Sequence, residues 1–405
     1  MKPKVLIMVG AYLPGVKAGG PIRSIANLVE SLAGEIDFRV ITSDRDLGDR
    51  APYASITPDR WTQAAAPHHG AAPSYGVLYL SPGRLAPGSL ARILASEPAD
   101  CLYLNSFFSW EFSILPMLLC LAGLVRQKQI VLAPRGEFSP GALGLKPRRK
   151  RAFMALAKRL RVYREAIWHA SSAYEERDIR NVFGDAVQVR VALPISQVGP
   201  AGPEGAPPAN PPAARKTPGS LRLISLSRVS PKKNLLGALR MLQGVTGEVE
   251  FNIYGPPEDQ DYAQQCALAI HALPPNIRAR MHPAVPHAQV AGLFATHHLF
   301  YFPTLGENYG HVIWEALAAG CPALLSDRTP WRGLERAAAG WDLPLESPER
   351  FRAALQRAVD MTHAEFLAAA AQARRFARDF SAGPEQIARS RAVFVPSQME
   401  VPATS

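Results

Sequence analysis

Apolar residues along this 405-residue chain recur with two alternating periods. Short continuous apolar runs predict buried strands at residues 4–9, 38–42, 77–80, 102–104 and 130–133, and again at 167–172 and 187–191. Between the first two, Ile22, Ile25, Ala26, Leu28, Val29 and Leu32 fall at helical spacing, and further helical patterns lie at 89–95 and 110–125. Strand and helix in alternation predict a parallel sheet wrapped on both faces. The interval 47–76, with Trp61, His68 and His69, has no clear period. It is expected to be a long loop whose adjacent histidines face solvent.

Residues 196–218 interrupt this order with seven prolines, several glycines and alanines, and almost nothing apolar enough to bury. That is the composition of a linker. The alternation then restarts with a strand at 221–226, a helix from about Leu235, a strand at 251–254 closed by Gly255-Pro256, and an apolar strand at 299–303. His282 and His287 flank a turn before a helix and are expected as loop residues. After 303 a loop leads into Val312, Ile313, Leu317 and Ala318 at helical spacing, with Gly320 as the stop. A strand at 323–326 and helices at 347–359 and 363–380 follow. The expected division is a Rossmann-like domain at 1–195, a Pro-rich linker at 196–219, a second Rossmann-like domain at 220–380 and a tail at 381–405, disordered past Val395.

Size and composition agree with two domains of a globular protein, at 47% hydrophobic and 20% charged residues. Cys101, Cys120, Cys266 and Cys321 are scattered without paired spacing, as reduced thiols in the cytoplasm would be. The apolar run after Lys4 is too short for a signal peptide, and the one at 114–125 is broken by Pro116 and too short to span a bilayer. A net charge of +11 favours polyanionic partners. Much of it is concentrated in residues 146–164, where Lys146, Arg148, Arg149, Lys150, Arg151, Lys158, Arg159, Arg161 and Arg164 occur without an acid, around an apolar stripe of Phe153, Leu156, Ala157, Leu160 and Tyr163. Such a helix can lie against an anionic membrane surface; it can equally be a surface helix with its stripe in the core.

Candidate chemistry sits where strands end. Gly10 and Gly15 have phosphate-loop spacing, but Val16 stands where that motif needs lysine, and no Gly-x-Gly-x-x-Gly follows. ATP, nicotinamide and flavin readings are thereby weakened. Ser227-Arg228-Val229-Ser230-Pro231-Lys232-Lys233-Asn234 opens a helix, with Ser230 suited to the N-cap and Pro231 to the first turn. Arg228 and Lys233 there could stabilise a leaving diphosphate without a metal. Gly255 makes a tight turn at the end of another strand.

The most informative stretch runs from Thr304 to Asp327. A loop from a parallel strand into a helix offers free backbone N–H groups and the positive end of a dipole to an anion, here near Asn308, Tyr309, Gly310 and His311. Glu307 in the loop and Glu315 in the helix would repel phosphate but can accept hydrogen bonds from sugar hydroxyls. The stretch therefore suits a nucleotide carrying a sugar.

Glu307 and Glu315, with seven residues between them, followed by Ala-Leu-Ala-Ala-Gly-Cys-Pro, resemble the E-x(7)-E signature of retaining GT-B glycosyltransferases, most closely family 4 (glycosyl transferases group 1). The resemblance implies an α/β GT-B fold, two Rossmann-like parallel-sheet domains facing each other across a cleft, the first binding the acceptor and the second the nucleotide sugar. It implies transfer from a nucleotide-sugar donor, a UDP-sugar among the candidates, to a saccharide or lipid-linked saccharide acceptor in polysaccharide or lipid-linked glycan assembly. Gly19 and Gly20 match the Gly-Gly of the family's first loop, and Arg228 and Lys233 its arginine and lysine. Many relatives place a histidine after the strand at 130–133; Arg135 and Glu137 stand there instead. A terminal helix of the family crosses back to the first domain, a role open to residues 363–380.

On this reading Glu307 holds sugar hydroxyls, Glu315 the ribose, Arg228 and Lys233 the diphosphate, and backbone N–H groups at 308–310 a phosphate. No cofactor and no metal is expected on this resemblance. The location implied is cytoplasmic, peripheral on the inner membrane face if residues 146–164 dock there. Rival readings are a basic nucleic-acid-binding protein, a catalytically idle nucleotide-sugar sensor, and an epimerase or phosphorylase on the same fold. Only Phe153 and Tyr163 interleave the basic run, so nucleic acid is not the expected partner.

Overall fold

The computed structural model describes residues 2–15, 17, 20–65, 74–144, 147–196, 215–381 and 383–395. They form two compact units, Met1–Gln197 with Ala382–Ser405, and Val198–Ser381. Each is built on a parallel sheet, so the α/β class with two Rossmann-like domains holds.

The first sheet contains β1 (Lys4–Met8), β2 (Asp37–Ser43), β3 (Trp61–Ala65), β4 (Ser74–Leu80), β5 (Cys101–Asn105), β6 (Gln129–Ala133), β7 (Ile167–Ala170) and β8 (Val189–Val191). Their order is β3-β4-β2-β1-β5-β6-β7-β8, parallel throughout except for antiparallel β3–β4. The helices are α1 (Gly20–Leu32), α2 (Pro87–Ser96), α3 (Leu115–Leu121), α4 (Pro140–Leu143), α5 (Pro147–Arg159) and α6 (Ala173–Phe183). Right-handed crossovers send chains moving in opposite directions across the sheet to opposite faces. Accordingly α1 packs with Ile7, Val40 and Tyr103 on one face, whereas Leu90 of α2, Met117 of α3, Met154 of α5 and Ile179 of α6 share a core on the other.

The second sheet contains β9 (Ser220–Leu226), β10 (Glu248–Tyr254), β11 (Ile277–His282), β12 (Leu299–Phe302), β13 (Ala323–Ser326) and β14 (Gly340–Leu343), all parallel, in the order β11-β10-β9-β12-β13-β14. Around it lie α7 (Leu235–Leu242), α8 (Gln260–His271), α9 (His287–Ala295), α10 (His311–Ala318), α11 (Pro348–Asp360) and α12 (His363–Ser381). A last helix, α13 (Pro384–Ala392), belongs to the first unit and packs on α1.

Several expectations change. The interval 47–76 holds strand β3, whose register is imposed by β4 and whose Trp61 ring lies under the Arg39 guanidinium at 5.5 Å. His68 and His69 lie outside the described residues. The pattern at 110–125 breaks into a π-helical turn, Trp110–Ile114, and the short α3. Helix α12 stays in the second unit against α10; the return to the first unit is made by α13, so 383–395 is no tail. Beyond α13, Phe394 sets its ring against Tyr103 at 5.0 Å and Phe38 at 6.0 Å, and Arg190 donates to the Val393 carbonyl at 2.6 Å. Most of the expected linker lies outside the described residues. Its end is anchored, because the buried Lys216 ammonium donates to the carbonyls of Val359 and Met361 at 2.8 and 3.1 Å, where the end of α11 favours a cation.

Two buried histidines couple the fold to pH. Burial first, and then a nearby guanidinium, Arg135 for His169 and Arg222 for His298, push each ring down to about 3. An unfolded imidazole takes a proton below about 6.5. The unfolded chain thus binds more protons between these limits, and the histidine contribution to stability is fully present above about pH 6.5 and lost as pH falls toward 3. The expected loss is up to roughly 1.4 kcal/mol per pH unit per ring. Urea unfolding at pH 7.5, 6.0 and 4.5 should show it, with a shallower acid limb in His298→Gln; identical limbs in variant and parent would refute this account.

Candidate functional site

In the second unit the chain winds from β9 outward to β11, then returns to lay β12, β13 and β14 on the other side. The loops leaving β9 and β12 therefore part toward opposite faces at the carboxyl edge, and that point of reversal is where open α/β sheets bind ligands. The residues singled out after β9 and β12 converge there.

Lys233 ends a single 3-10 turn, Pro231–Lys233, for which Pro231 presets the backbone. Asn234 follows in the left-handed region at φ 54°, which asparagine tolerates, and its Nδ2 donates to the Pro303 carbonyl at 2.9 Å, tying the two loops together. A Cβ at residue 237 would lie 2.4 Å from Asn234 Oδ1, so Gly237 leaves room for that side chain. Two backbone bonds add to the tie: Leu305 N to the Lys232 carbonyl at 2.9 Å and Glu307 N to the Arg328 carbonyl at 3.0 Å.

Lys233 Nζ and Glu307 Oε1 thereby meet at 2.5 Å, with side chains only 15% and 12% exposed. The ammonium also sits 5.4 Å from the Phe302 ring centroid. Thr304 Oγ1 lies 3.2 Å from the same Glu307 oxygen and 3.0 Å from the Lys232 carbonyl; its one proton serves one acceptor at a time. The cation and the carboxylate expected to bind different parts of a ligand thus neutralise each other in the free chain.

Helix α10 starts at His311 behind Gly310, which takes φ 78° and leaves the helix without a side-chain cap. The positive end of the α10 dipole therefore lies beside the Glu307 loop. Tyr309 is buried, its carbonyl accepting from Trp331 Nε1 at 2.5 Å, while Trp331 stacks on Phe380 of α12 at 4.2 Å. His311 meets the Tyr309 ring edge-on at 4.8 Å, and Asn308 is half-buried. One turn into α10, Glu315 Oε1 is 3.0 Å from His287 Nε2. His287 is thus the first residue of α9 rather than a loop residue, and His282 ends β11, stacked on Tyr254 at 4.5 Å.

Arg228 is 62% exposed and pairs with Glu258 at 2.5 Å. Its loop rests on the next one, where a Cβ at residue 255 would lie 1.9 Å from the Ser227 carbonyl oxygen. Gly255, at φ 144°, is thus explained by close backbone packing.

Gly20 is the exposed first residue of α1, and its carbonyl accepts from Ser24 Oγ at 3.0 Å; Gly19 lies outside the described residues. Arg135 and Glu137 both turn into the first unit's own polar interior. Arg135, at φ 55°, donates to Asn105 Oδ1 and to the Tyr103 hydroxyl at 2.8 Å each. The Tyr103 hydroxyl in turn donates to His169 Nδ1 at 2.6 Å, and His169 Nε2 donates to the Ala192 carbonyl at 3.0 Å. Glu137 accepts from Ser106 Oγ, Phe107 N and Phe108 N at 2.6, 2.5 and 3.1 Å, while burial pushes its carboxyl up. Both residues expected as catalytic thus hold loops in place.

Asn234, Thr304, His287 and Glu258 contact the expected site residues but were not anticipated. Asn234-x-x-Gly237 carries a signal, since a left-handed asparagine needs space over the next turn. The others depend on loops far apart in sequence. Among the described residues, no group of three or more His, Cys, Asp or Glu side chains could hold a metal ion.

Comparison with known proteins places this geometry. Residues 209–375 match the family model of glycosyl transferases group 1. No curated protein sequence matches the chain. Among solved structures, sucrose-phosphate synthase from Thermosynechococcus elongatus is similar at 16% identity and TM-score 0.62, over 97% of this chain and 95% of that one. Anabaena HepE in complex with UDP and glucose gives 14% and 0.65, over 96% and 98%. An α,α-trehalose-phosphate synthase (UDP-forming) from Burkholderia vietnamiensis gives 15% and 0.62, over 97% and 96%. The fold of the two parallel-sheet units is thus the GT-B fold.

The Lys233–Glu307 pair sets a stability test. Lys233→Met strands a largely buried carboxylate and should cost roughly 3 kcal/mol in urea unfolding. Adding Glu307→Gln should recover most of that loss; additive losses would mean that the two groups do not interact.

Proposed function

We propose that the chain transfers a sugar from a nucleoside-diphosphate sugar to an acceptor hydroxyl, with retention of anomeric configuration. The observation that carries this reading is the Lys233–Glu307 pair beside the N-terminal end of α10, at the point where the second sheet reverses its winding.

A bound diphosphate competes with Glu307 for Lys233. As the ammonium turns to the phosphate oxygens, Glu307 is released to accept hydrogen bonds from the sugar hydroxyls. Charge on the departing phosphate grows as the bond to the sugar breaks. Lys233, Arg228 and the N–H groups at the start of α10 stabilise that charge more in the transition state than in the ground state. Arg228 is available because an exposed ion pair such as Arg228–Glu258 is worth little and exchanges readily. A leaving phosphate oxygen takes the acceptor proton, so the reaction draws on no separate base and no metal.

Glu315, held by His287, receives the ribose hydroxyls. Arg135 and Glu137 act only by shaping loops. The acceptor is a saccharide or lipid-linked saccharide, and the product enters polysaccharide or lipid-linked glycan assembly on the cytoplasmic side. The ligands named for the HepE structure, UDP and glucose, support a UDP-sugar as donor.

UDP-, GDP- and ADP-sugars should be screened by thermal shift, where a ligand at about 100 times its Kd adds roughly 2.7 kcal/mol. A UDP-sugar is expected to stabilise the chain and Lys233→Ala to abolish the effect. Nucleotide release should fall about a hundredfold in Glu307→Ala and in Lys233→Ala; unaltered turnover in both rejects the assignment. His287→Ala should raise the donor KM several-fold with kcat nearly unchanged, and this increase should shrink with a 2′-deoxyribose donor, which keeps only the 3′-hydroxyl. An equal increase with both donors would make His287 merely structural.

A further inference from the structure

One face of the first unit carries large apolar side chains that nothing in the described structure covers. Trp110 is 50% exposed, Leu121 57%, Leu124 61%, Leu156 53% and Leu160 63%, with Leu118 at 38%. They come from two stretches, residues 110–124 and 156–160, the latter the last turn of α5 and the residue after it. The connections β5-to-β6 and β6-to-β7 step the same way across the sheet, so right-handed crossovers set α3 and α5 on the same face. Packing agrees: Phe153 of α5 lies 5.4 Å from Phe107 and 6.1 Å from Phe108, which precede Trp110, and Met117, Met154 and Ala157 share one core. Isolated exposed leucines are ordinary, but a cluster of this kind marks a contact surface.

The charge along the two stretches is largely positive, with Glu111 half-buried in the first and Glu165 exposed just beyond the second. Arg148, Arg149, Arg151 and Arg159 of α5 are exposed, as are Arg126, Arg161 and Arg164 in the adjoining loops. Between Glu111 and Glu165 the sole acid is Glu137, whose oxygens are occupied by Ser106 and the amides of Phe107 and Phe108. A protein partner with an apolar patch would satisfy the leucines and leave the arginines without counter-charge. An anionic bilayer satisfies both, with leucines entering the acyl boundary and guanidinium groups staying among the phosphates.

We infer that the α3–α5 face docks on anionic lipid bilayers by inserting leucines from both stretches, not by charge on one basic helix alone. Among the described residues no helix is long and apolar enough to cross a membrane, so this contact is peripheral. The inference is independent of the sugar-transfer reading.

The test is flotation of the full chain with vesicles of phosphatidylcholine, alone or mixed equally with phosphatidylglycerol. Binding is expected to the mixed vesicles only. Each arginine-to-glutamine change in α5 should weaken it roughly fivefold. Leu121→Glu with Leu124→Glu, and separately Leu156→Glu with Leu160→Glu, should each weaken it at least tenfold, at an unchanged Tm and unchanged nucleotide-sugar turnover. Wild-type binding by the Leu121/Leu124 pair overturns the two-stretch insertion. So does equal retention on duplex DNA, which would show attraction to any polyanion. Absence of vesicle binding, with a dimer that the leucine changes dissociate, would assign the face to a second copy of the chain.

Discussion

The handedness of parallel crossovers constrains this molecule more than any single contact. A right-handed connection keeps its helices on one face for as long as the chain advances in one direction, so a sheet covered on both faces must be wound outward twice from its middle. In the second unit the two outward paths begin at β9 and β12, which pair with each other. Their exit loops diverge at the carboxyl edge of the sheet. Lys233 and Glu307, 74 residues apart, meet there because each loop is tied to the other. Asn234 bonds across to Pro303, and Leu305 to Lys232. The ion pair itself does not hold the loops, since the cost of removing two charges from water offsets most of their attraction.

The polar groups of the two units are put to different uses. In the first, Arg135, Tyr103 and His169 form a closed hydrogen-bonded chain, and Glu137 and Glu175 each accept from several backbone and hydroxyl donors. Their bonding capacity is spent within the fold, which fixes the loops after β5, β6 and β7. In the second, the Lys233–Glu307 contact is largely shielded, whereas Arg228–Glu258 is open to water. Shielding sets a high cost for breaking the first pair and a low cost for breaking the second.

The sheet also sorts the surface. The face that carries α1 is closed by α13 and by Val393, Phe394 and Val395, so the last described residues are part of that core. Among the described residues of the first unit, the opposite face is covered by α2, α3, α5 and α6. Its exposed leucines and arginines follow from where the crossovers put α3 and α5, not from the amphipathic period of either helix alone.

Much of this was legible in the chain itself. Continuous apolar runs located β1, β2, β5, β6, β9, β12 and β13, because a strand buried on both faces needs no polar alternation. Spacing around Glu307 and Glu315, with glycine before and after the helix, identified the loop after β12. What could not be read were elements whose identity comes from a neighbour: β3, aligned only by β4; β11 and β14, edge strands of mixed polarity; and α13, whose return to the first unit depends on packing against α1, at the other end of the sequence. The same limit applies to side chains. The sequence supplied Lys233, Glu307, Arg135 and Glu137 as chemistry at strand ends, but it could not say that the first two would face each other and the last two turn inward. Hydrogen-bond partners for a group near a strand end come from adjacent strands, and strand adjacency is settled by the winding of the sheet, a property of the folded chain and not of any one segment.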